Sequence, residues 1–268
     1  MIIRRDEFLE RGTQGTFLKR LKLVRRQIER GGGAFFRLED HEVAVIPLTG
    51  KVDVKAEGEW GKRKWLDVGG RESVFDELPT IVMLPPCQLV LNAHEPVDVL
   101  IASVSGRKKT KALPRLIRPE DLEVVFVGKD SYKRQVRSMQ QDDYVLKCGE
   151  TIHSGPGTWS SWPKHREVGN TERVEEVKFV LLKRVIGWGE DFVEPWTVVV
   201  QDGMMHGEEI HEVHKISSGD VIIQPVGRHP IVGSPFTNVY YFWILTGPDE
   251  LGGLPKKYGK FAGESDYV

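Results

Sequence analysis

Short apolar runs rich in Val, Ile, Phe and Tyr recur along the chain, separated by turns that carry Gly, Pro, Asn or Asp. Runs of this length and composition are typical of β-strands. In the first half the pattern predicts strands in HEVAVIPLTGKVDVKAE, TIVMLPP, CQLVLNA and VDVLIASVS. In the second half it predicts strands in EVKFVLLKR, WTVVVQDG, GDVIIQPVG and NVYYFWILTG. The segment FLKRLKLVRRQIERG fits either a short helix or a charged edge strand.

A basic, proline-bearing stretch, SGRKKTKALPRLIRPEDLE, separates the two groups of strands and has no strand pattern, which is typical of a linker. Each half repeats one order of parts: an acidic turn, an apolar strand, a turn rich in Gly or Pro, and a return strand. The chain is therefore predicted to be all-β. Two stacked barrels, over residues 1–110 and 111–268, fit this order better than one large sandwich.

Composition limits the classes of partner. Of 268 residues, 40% are hydrophobic and 29% are charged, which is ordinary for a soluble globular protein. The 38 basic and 39 acidic residues nearly balance, so no positive field for nucleic acid is expected. No stretch approaches the roughly 20 apolar residues that span a membrane, and the start, MIIRRDEFLERG, has no apolar run behind its arginines. We expect a cytoplasmic protein without a membrane or nucleic-acid partner.

Two histidines and two carboxylates of the second half could meet inside a barrel. His165 and Glu167 stand at i and i+2, so on a strand both side chains point to one face. Glu176 begins the apolar strand VKFVLL, and His229 lies in the turn PVGRHP. Such a mixed nitrogen and oxygen set suits Zn, Mn, Fe or Ni, with open positions for substrate oxygens. The alternative for the His-x-Glu pair is a solvated polar turn.

Other titratable residues are expected to be structural. In HGEEIHEVH the histidines are five and three residues apart, so they do not share a strand face, and a polar loop or strand edge is predicted there and at His153. The acidic cluster of residues 39–42 predicts a solvated turn before a strand. Cys87 and Cys148 have no CxxC spacing, so we expect two ordinary buried thiols.

Several segments resemble the 5-deoxy-glucuronate isomerase family of inositol catabolism, which is related to the 5-keto-4-deoxyuronate isomerases of pectin breakdown. They are EVAVIPLTGKVDV, ESVFDELPTIVMLPP, GTWSSWPKHRE, VEEVKF and GDVIIQPVGRHPIVGSPFTNVYYFWILTG. The resemblance runs from about Gly32 to Gly247. It implies two tandem cupin barrels, also called double-stranded β-helices, with a divalent metal in the C-terminal barrel. The N-terminal barrel is expected to hold no metal and to serve packing, covering of the other barrel or the contacts of a homo-oligomer.

The resemblance also implies the metal ligands. The family binds its ion through a His-x-His pair, a glutamate and a later histidine, which fall on His165, Glu176 and His229 of this chain, while the second histidine falls on Glu167. A carboxylate in place of an imidazole adds negative charge and favours harder ions such as Mn or Fe. This departure is also compatible with a changed substrate or a lost metal.

The implied reaction is an aldose–ketose isomerisation of a deoxy uronic acid, 5-deoxy-D-glucuronate, to 5-dehydro-2-deoxy-D-gluconate. A divalent metal stabilises the charge of the enediol, and a cation is needed for the sugar-acid carboxylate. Arg134 and Lys164 are the candidate cations, although Arg134 also fits a surface position. Alternation lets only one of Tyr240 and Tyr241 face inward, and we assign a hydroxyl-donor role to Tyr241. Glu167 is a candidate base.

Two other functions stay open at this stage. The Glu167 substitution is compatible with a non-catalytic sugar-acid-binding or regulatory cupin. Cupin sites with open metal positions also host oxygen chemistry, so a metal-dependent dioxygenase is a weaker alternative that fold alone does not exclude.

Overall fold

The structure, a computed structural model, describes residues 1–106, 112–139, 143–155, 157–161, 175–185, 194–205, 208–224 and 229–246. Within these ranges almost all regular structure is β, with one short helix, α1 (Arg5–Arg11), and two single 3₁₀ turns. The prediction of an all-β chain is therefore confirmed. In the described part of the chain, no helix has the length and apolar character needed to cross a membrane.

The strands of the first half correspond closely to its apolar runs, and CQLVLNA and VDVLIASVS coincide with whole strands. The ten strands are β1 (Ile2–Ile3), β2 (Leu21–Ile28), β3 (Gly33–Leu38), β4 (His41–Thr49), β5 (Lys51–Gly58), β6 (Gly61–Gly69), β7 (Ile81–Leu84), β8 (Cys87–Ala93), β9 (Val97–Ser105) and β10 (Arg115–Ile117).

The second half contains strands of up to ten residues, and a strand lies in each of the four predicted apolar runs. They are β11 (Glu123–Val127), β12 (Arg134–Ser138), β13 (Lys147–His153), β14 (Trp159–Ser160), β15 (Glu175–Arg184), β16 (Trp196–Met205), β17 (Glu208–Ser217), β18 (Val221–Gln224), β19 (Ile231–Gly233) and β20 (Thr237–Thr246).

These strands form four antiparallel sheets, two in each half. The first half has a five-stranded sheet, β10-β7-β4-β9-β2, and a four-stranded sheet, β3-β8-β5-β6. The second half has a seven-stranded sheet, β1-β18-β15-β20-β13-β12-β11, and a four-stranded sheet, β14-β19-β16-β17. Because β2 lies at the edge of its sheet, the charged segment FLKRLKLVRRQIERG contains an edge strand, which was one of its two predicted forms.

In the described residues, three apolar cores lie between the sheets. One lies between the two sheets of the first half, and a second lies between the two sheets of the second half. The third joins the five-stranded and seven-stranded sheets across the halves. Strands such as β4 and β20 are apolar at consecutive positions because alternate residues enter different cores: Val43 and Val45 face the first, whereas Ala44 and Ile46 face the third.

Two short strands pair across the predicted boundary at residues 110 and 111. β1 belongs to the seven-stranded sheet of the second half, where Ile2 pairs with Ile222. β10 belongs to the five-stranded sheet of the first half, where Ile117 pairs with Ile81. The segment predicted as a linker without strands thus contains β10, although only three residues long. The domain boundary itself stays a prediction.

The acidic cluster of residues 39–42 is the predicted solvated turn in its first two residues only. Glu42 is fully buried, and its Oε2 accepts hydrogen bonds from the backbone N–H groups of Val145 and Leu146 at 2.6 and 3.0 Å. His41 is buried as well. Glu39 and Asp40 are exposed, and Asp40 contacts the His41 ring at 2.5 Å. The carboxylate of Glu42 therefore joins the two halves.

A buried ion network makes a second connection between the halves. The Glu150 side chain on β13 is fully buried. Arg71 of the first half donates from Nη1 to its Oε2 at 3.1 Å, and its Nη2 lies 2.7 Å from Oε1. Arg137 Nη1 and the Tyr240 hydroxyl donate to the same carboxylate at 3.2 and 2.8 Å. Arg137 also donates to the backbone oxygen of Val74 at 2.9 Å. One carboxylate thus holds charged groups from both halves.

Candidate active site

Alternation along β15 places two charged side chains inside the second half. Val177 and Phe179 enter the core between the halves, whereas Val180 enters the core of the second half. Glu176 and Lys178 share the face of Val180 and therefore point inward. A lysine in the middle of a buried strand is unusual, because an ammonium loses its hydration there.

Glu176 and His229 approach each other at the inner face of the second half. The Nε2 atom of His229 lies 3.5 Å from Oε2 of Glu176, and the Nζ atom of Lys178 lies 3.2 Å from Oε1 of the same carboxylate. One carboxylate oxygen thus faces the imidazole and the other faces the ammonium. An imidazole nitrogen and a carboxylate oxygen are suitable ligands for a divalent ion, and their separation allows both to bind one ion. These two residues fit half of the predicted ligand set.

The other half of that set cannot be placed. His165, Glu167 and the candidate cation Lys164 lie outside the described residues. Within the described part of the chain, no group of three or more His, Cys, Asp and Glu side chains is arranged to hold a metal ion. The complete four-ligand site therefore stays a prediction.

Tyr241 points into the second half, and Tyr240 points away from it. The ring of Tyr241 belongs to the second-half core, and its hydroxyl lies 2.5 Å from the hydroxyl of Ser160 on β14. Tyr240 enters the core between the halves and contacts Glu150. The Lys178 ammonium lies 5.4 Å from the Tyr241 ring centroid, and the ring of His153 lies 6.4 Å from it. Tyr241 therefore lies close to Ser160, Lys178 and His153 on the inner face.

Arg134 is not a surface residue, which was the alternative to a binding role. It begins β12, is 4% exposed, and donates from Nη1 to the backbone oxygen of Tyr132 at 3.3 Å. The register that pairs Gln135 with Ile152 places Arg134 beside His153. Because its neighbour Val136 enters the second-half core two residues later, Arg134 shares that inner face. One strand, β13, thus lies between the buried Arg134 on β12 and Tyr241 on β20.

His153 corrects the prediction of a polar loop or strand edge. It is the last residue of β13 and is fully buried. Its Nδ1 lies 3.2 Å from Oγ1 of Thr158, whose hydroxyl donates to the backbone oxygen of Gly155 at 3.1 Å. Since that hydroxyl hydrogen is used, Nδ1 is assigned as the protonated nitrogen and Nε2 as an acceptor. Burial, assisted by the charge of Arg134, lowers the pKa of His153 to about 3.

Among the described residues, several polar side-chain atoms of this interior have no hydrogen-bond partner. They are Nζ of Lys178, Nε2 of His153, Nε2 of Gln201 and both amide atoms of Gln224, each on a side chain no more than 4% exposed. Gln224 on β18 pairs directly with Glu176 on the neighbouring strand β15, and Gln201 shares the face of Val199. Both glutamines therefore point into the same core. Buried polar groups are nearly always hydrogen-bonded, and an unsatisfied one costs about 1–3 kcal/mol. The group therefore has the chemistry of a site for a ligand rich in hydroxyl groups.

The remaining described histidines of the second half lie on the edge strand β17, as predicted. His211 is 64% exposed and contacts Asp202 and Glu209, and His214 contacts Glu212 at 2.8 Å. The carboxylate of Asp202, followed by that of Glu209, raises the pKa of His211. These contacts are solvent-exposed ion pairs, which contribute little to stability.

The two cysteines are buried and free, as expected. Burial raises the pKa of both the Cys87 and the Cys148 thiol to about 12. Such thiols stay protonated and are poor nucleophiles and metal ligands.

We expect His229→Ala to weaken metal binding at least roughly tenfold, because a methyl group offers no lone pair and even loss of an outer-shell partner costs about 10- to 100-fold. The measurement is a titration of Mn²⁺ and Zn²⁺ into metal-free protein. His211→Ala, on the exposed edge strand, is the matched control and should bind as the wild type does. Equal affinities in all three proteins would remove His229 from the site.

Sequence comparison matches most of the chain to one protein family. A family profile described as the KduI/IolB family matches residues 18–254. Among individual relatives, a 5-deoxy-glucuronate isomerase from Geobacillus kaustophilus is 26% identical over 214 residues, covering 78% of this chain and 73% of the relative. Another from Lacticaseibacillus casei is 26% identical over 225 residues, covering 80% and 76%.

Solved structures show the same fold at low sequence identity. An IolB-like protein from Salmonella typhimurium superposes with a TM-score of 0.74 at 20% identity, covering 88% of this chain and 87% of that protein. A formate complex of oxalate decarboxylase from Lactobacillus farciminis superposes with a TM-score of 0.58 at 9% identity, covering 92% and 80%. The predicted cupin-type all-β fold is therefore confirmed.

Proposed function

Because the chain belongs to the KduI/IolB family, we propose that it is an isomerase that converts a deoxy uronic acid from aldose to ketose with the help of a divalent metal ion. The proposed substrate is 5-deoxy-D-glucuronate and the product is 5-dehydro-2-deoxy-D-gluconate. This reaction would place the protein in the cytoplasmic catabolism of myo-inositol. The relatives named 5-deoxy-glucuronate isomerase support this choice of substrate.

One observation carries the proposal. The Glu176 and His229 side chains face each other at 3.5 Å within a group of buried polar side chains, several of which have atoms without a hydrogen-bond partner among the described residues. A sugar acid has a carboxylate, a carbonyl oxygen and hydroxyl groups, which are the partners that such side chains require. The buried cations Arg134 and Lys178 favour an anionic ligand over a neutral sugar.

The isomerisation removes a proton from C2 of the open-chain aldehyde and delivers a proton to C1. The hydroxyl proton on O2 is transferred to O1, so that the carbonyl group moves from C1 to C2. A divalent ion held by Glu176 and His229, together with His165 and Glu167, would supply a Lewis acid for the sugar oxygens. We assign Glu167 as the base for the C2 proton, because a carboxylate that the metal does not hold tightly can take it up.

The described residues would bind and orient the substrate. The guanidinium of Arg134 binds the carboxylate of the sugar acid, which suits its planar pair of donors. Nε2 of His153, which is an acceptor and stays unprotonated at neutral pH, accepts a hydrogen bond from a sugar hydroxyl group. The hydroxyl pair of Tyr241 and Ser160 offers another donor or acceptor on the inner face.

Proton-exchange NMR with 5-deoxy-glucuronate in D₂O, combined with elemental analysis of the purified protein, tests this function. We expect ketose product, deuterium at the reacting carbon and a bound divalent metal, with equal rates in the presence and absence of oxygen. Turnover that requires oxygen would instead indicate a dioxygenase. Binding of the sugar acid without turnover would indicate a non-catalytic binding protein, for which the carboxylate at position 167 is the supporting observation.

A further inference from the structure

Lys178 is a buried charged side chain beside Glu176 that does not belong to the predicted ligand set. We propose that Lys178 is a catalytic residue whose ammonium donates a hydrogen bond to the carbonyl oxygen of the bound sugar acid and stabilises the negative charge that develops there in the enediolate. This proposal rests on the proposed isomerase function. It assigns to Lys178 the reacting end of the substrate, whereas Arg134 holds the carboxylate end.

The fold fixes the position of this ammonium. Lys178 lies on β15, which has β18 on one side and β20 on the other, so its backbone is within the seven-stranded sheet. Its side chain is 2% exposed. Glu176 lies 3.2 Å from Nζ, and the ring of Tyr241 lies below it with a centroid distance of 5.4 Å. A cation held by a carboxylate and an aromatic face is oriented before any ligand binds.

The ammonium has unused hydrogen-bonding capacity. An ammonium has three N–H donors and no acceptor. In the described structure Nζ makes an ion pair with Glu176, but it donates no hydrogen bond of suitable geometry. Gln224, directly opposite Glu176, also has no partner for either amide atom among the described residues. A lysine that served the fold alone would be expected to have its donors satisfied, because unpaired buried polar groups are costly.

The neighbouring carboxylate determines which substrate oxygen this lysine binds. A second carboxylate beside Lys178 would lie close to Glu176 and be repelled by its charge, and the repulsion between like charges is strong in a buried site. A carbonyl oxygen is neutral in the ground state and gains charge only during the reaction. The hydrogen bond from Lys178 therefore strengthens in the transition state, which raises kcat more than it affects substrate binding.

The test replaces Lys178 by methionine, which keeps a similar length and removes the charge and the donors. We expect Lys178→Met to lower kcat for 5-deoxy-glucuronate about 10²- to 10³-fold, as loss of one oxyanion donor does in other enzymes. KM should change less than about threefold, because the ground-state carbonyl is bound weakly by comparison. Lys183→Met, an exposed lysine on the same strand, is the matched control and should keep wild-type kcat.

A binding measurement separates this inference from the proposed function. D-Arabinonohydroxamate has a planar group that resembles an enediolate and carries no carboxylate, so calorimetry with it reports the reacting end of the site. We expect at least roughly tenfold weaker binding to Lys178→Met than to wild type, from loss of a charge-assisted hydrogen bond. An inactive wild type that shows this difference would overturn the uronate isomerase function and leave the role of Lys178 supported.

Three results would overturn the role of Lys178. The first is wild-type kcat in Lys178→Met. The second applies if the wild type is inactive. It is an equal affinity of wild type and Lys178→Met for the hydroxamate, or no binding by either protein. Should Lys178→Met fail to fold by circular dichroism, Lys178→Gln, which keeps a donor without the charge, takes its place. The third result is failure of both variants to fold, which would show that the lysine serves the structure.

Discussion

Replacing Glu150 with leucine is expected to lower the free energy of unfolding by about 3–5 kcal/mol, the usual cost of removing one partner from a buried ion pair. The fully buried carboxylate receives Arg71 from the first half and Arg137 from the second. Burial works against the charge of Arg71, but Glu150 and Tyr240 together raise the Arg71 pKa above its usual value. Without the carboxylate, two guanidinium groups would stay charged and buried, because arginine does not release its proton in proteins.

Urea unfolding monitored by tryptophan fluorescence measures this loss. The matched control is Glu57→Leu, which removes an exposed carboxylate paired with Lys62 at 3.0 Å on the β5–β6 hairpin. That pair should contribute at most about 1 kcal/mol. A loss in Glu150→Leu no larger than that of the control would show that the two arginines find other partners.

His153 is expected to make the protein less stable in mild acid. Its pKa is about 3 in the folded protein, where burial disfavours the imidazolium, and about 6.5 in the unfolded chain. The unfolded state therefore binds the extra proton as pH falls below about 6.5, and the folded state does not until pH approaches the lower value. The contribution is fully present above pH 6.5 and is lost progressively below it. Between pH 7 and pH 5 it amounts to about 2 kcal/mol.

Comparison with His153→Asn isolates this effect from the carboxylates that also titrate in acid. The variant keeps a polar group near Thr158 but does not titrate, so its loss of stability between pH 7 and pH 5 should be about 2 kcal/mol smaller than that of wild type. His211→Asn is the control of opposite sign. Because carboxylates raise the pKa of His211, its stabilising effect is present at low pH and is lost as pH rises. Identical pH profiles for wild type and His153→Asn would contradict the buried neutral state of His153.

The strands that sequence patterns predicted best are those buried on both faces. β4, β9 and β20 enter two cores at once, so they read as continuous apolar runs between turns. β6 was missed and β17 was predicted only as a polar loop or strand edge, because their sequences, GKRKWLDVG and EEIHEVHKIS, are mostly polar. Each lies at the edge of a sheet with little buried surface, so hydrogen bonding to the neighbouring strand defines it and apolar periodicity does not.

The candidate site was predictable only in part. Alternation in NVYYFWILTG correctly separates the two tyrosines, and Tyr241 is the one that faces the second-half core. The same rule applied to EVKFVLL places Lys178 on the face of Glu176, but the sequence alone does not show that this face is closed to solvent. His153 was missed because its strand, KCGETIH, contains polar and glycine residues. Gly149 is required there because an added Cβ would lie 2.2 Å from the Trp243 ring.

The exchange of β1 and β10 between the halves affects how the protein can be divided or rebuilt. A fragment ending at residue 110 would keep β1 without its partner β18 and would leave β7 without β10. Both fragments would expose a strand edge, and exposed edges promote aggregation. Chimaeras that exchange one half with a relative would therefore need to transfer each terminal strand with the sheet that receives it. Gene fusion points and recombination libraries should follow these sheet boundaries, which differ from the order of the chain.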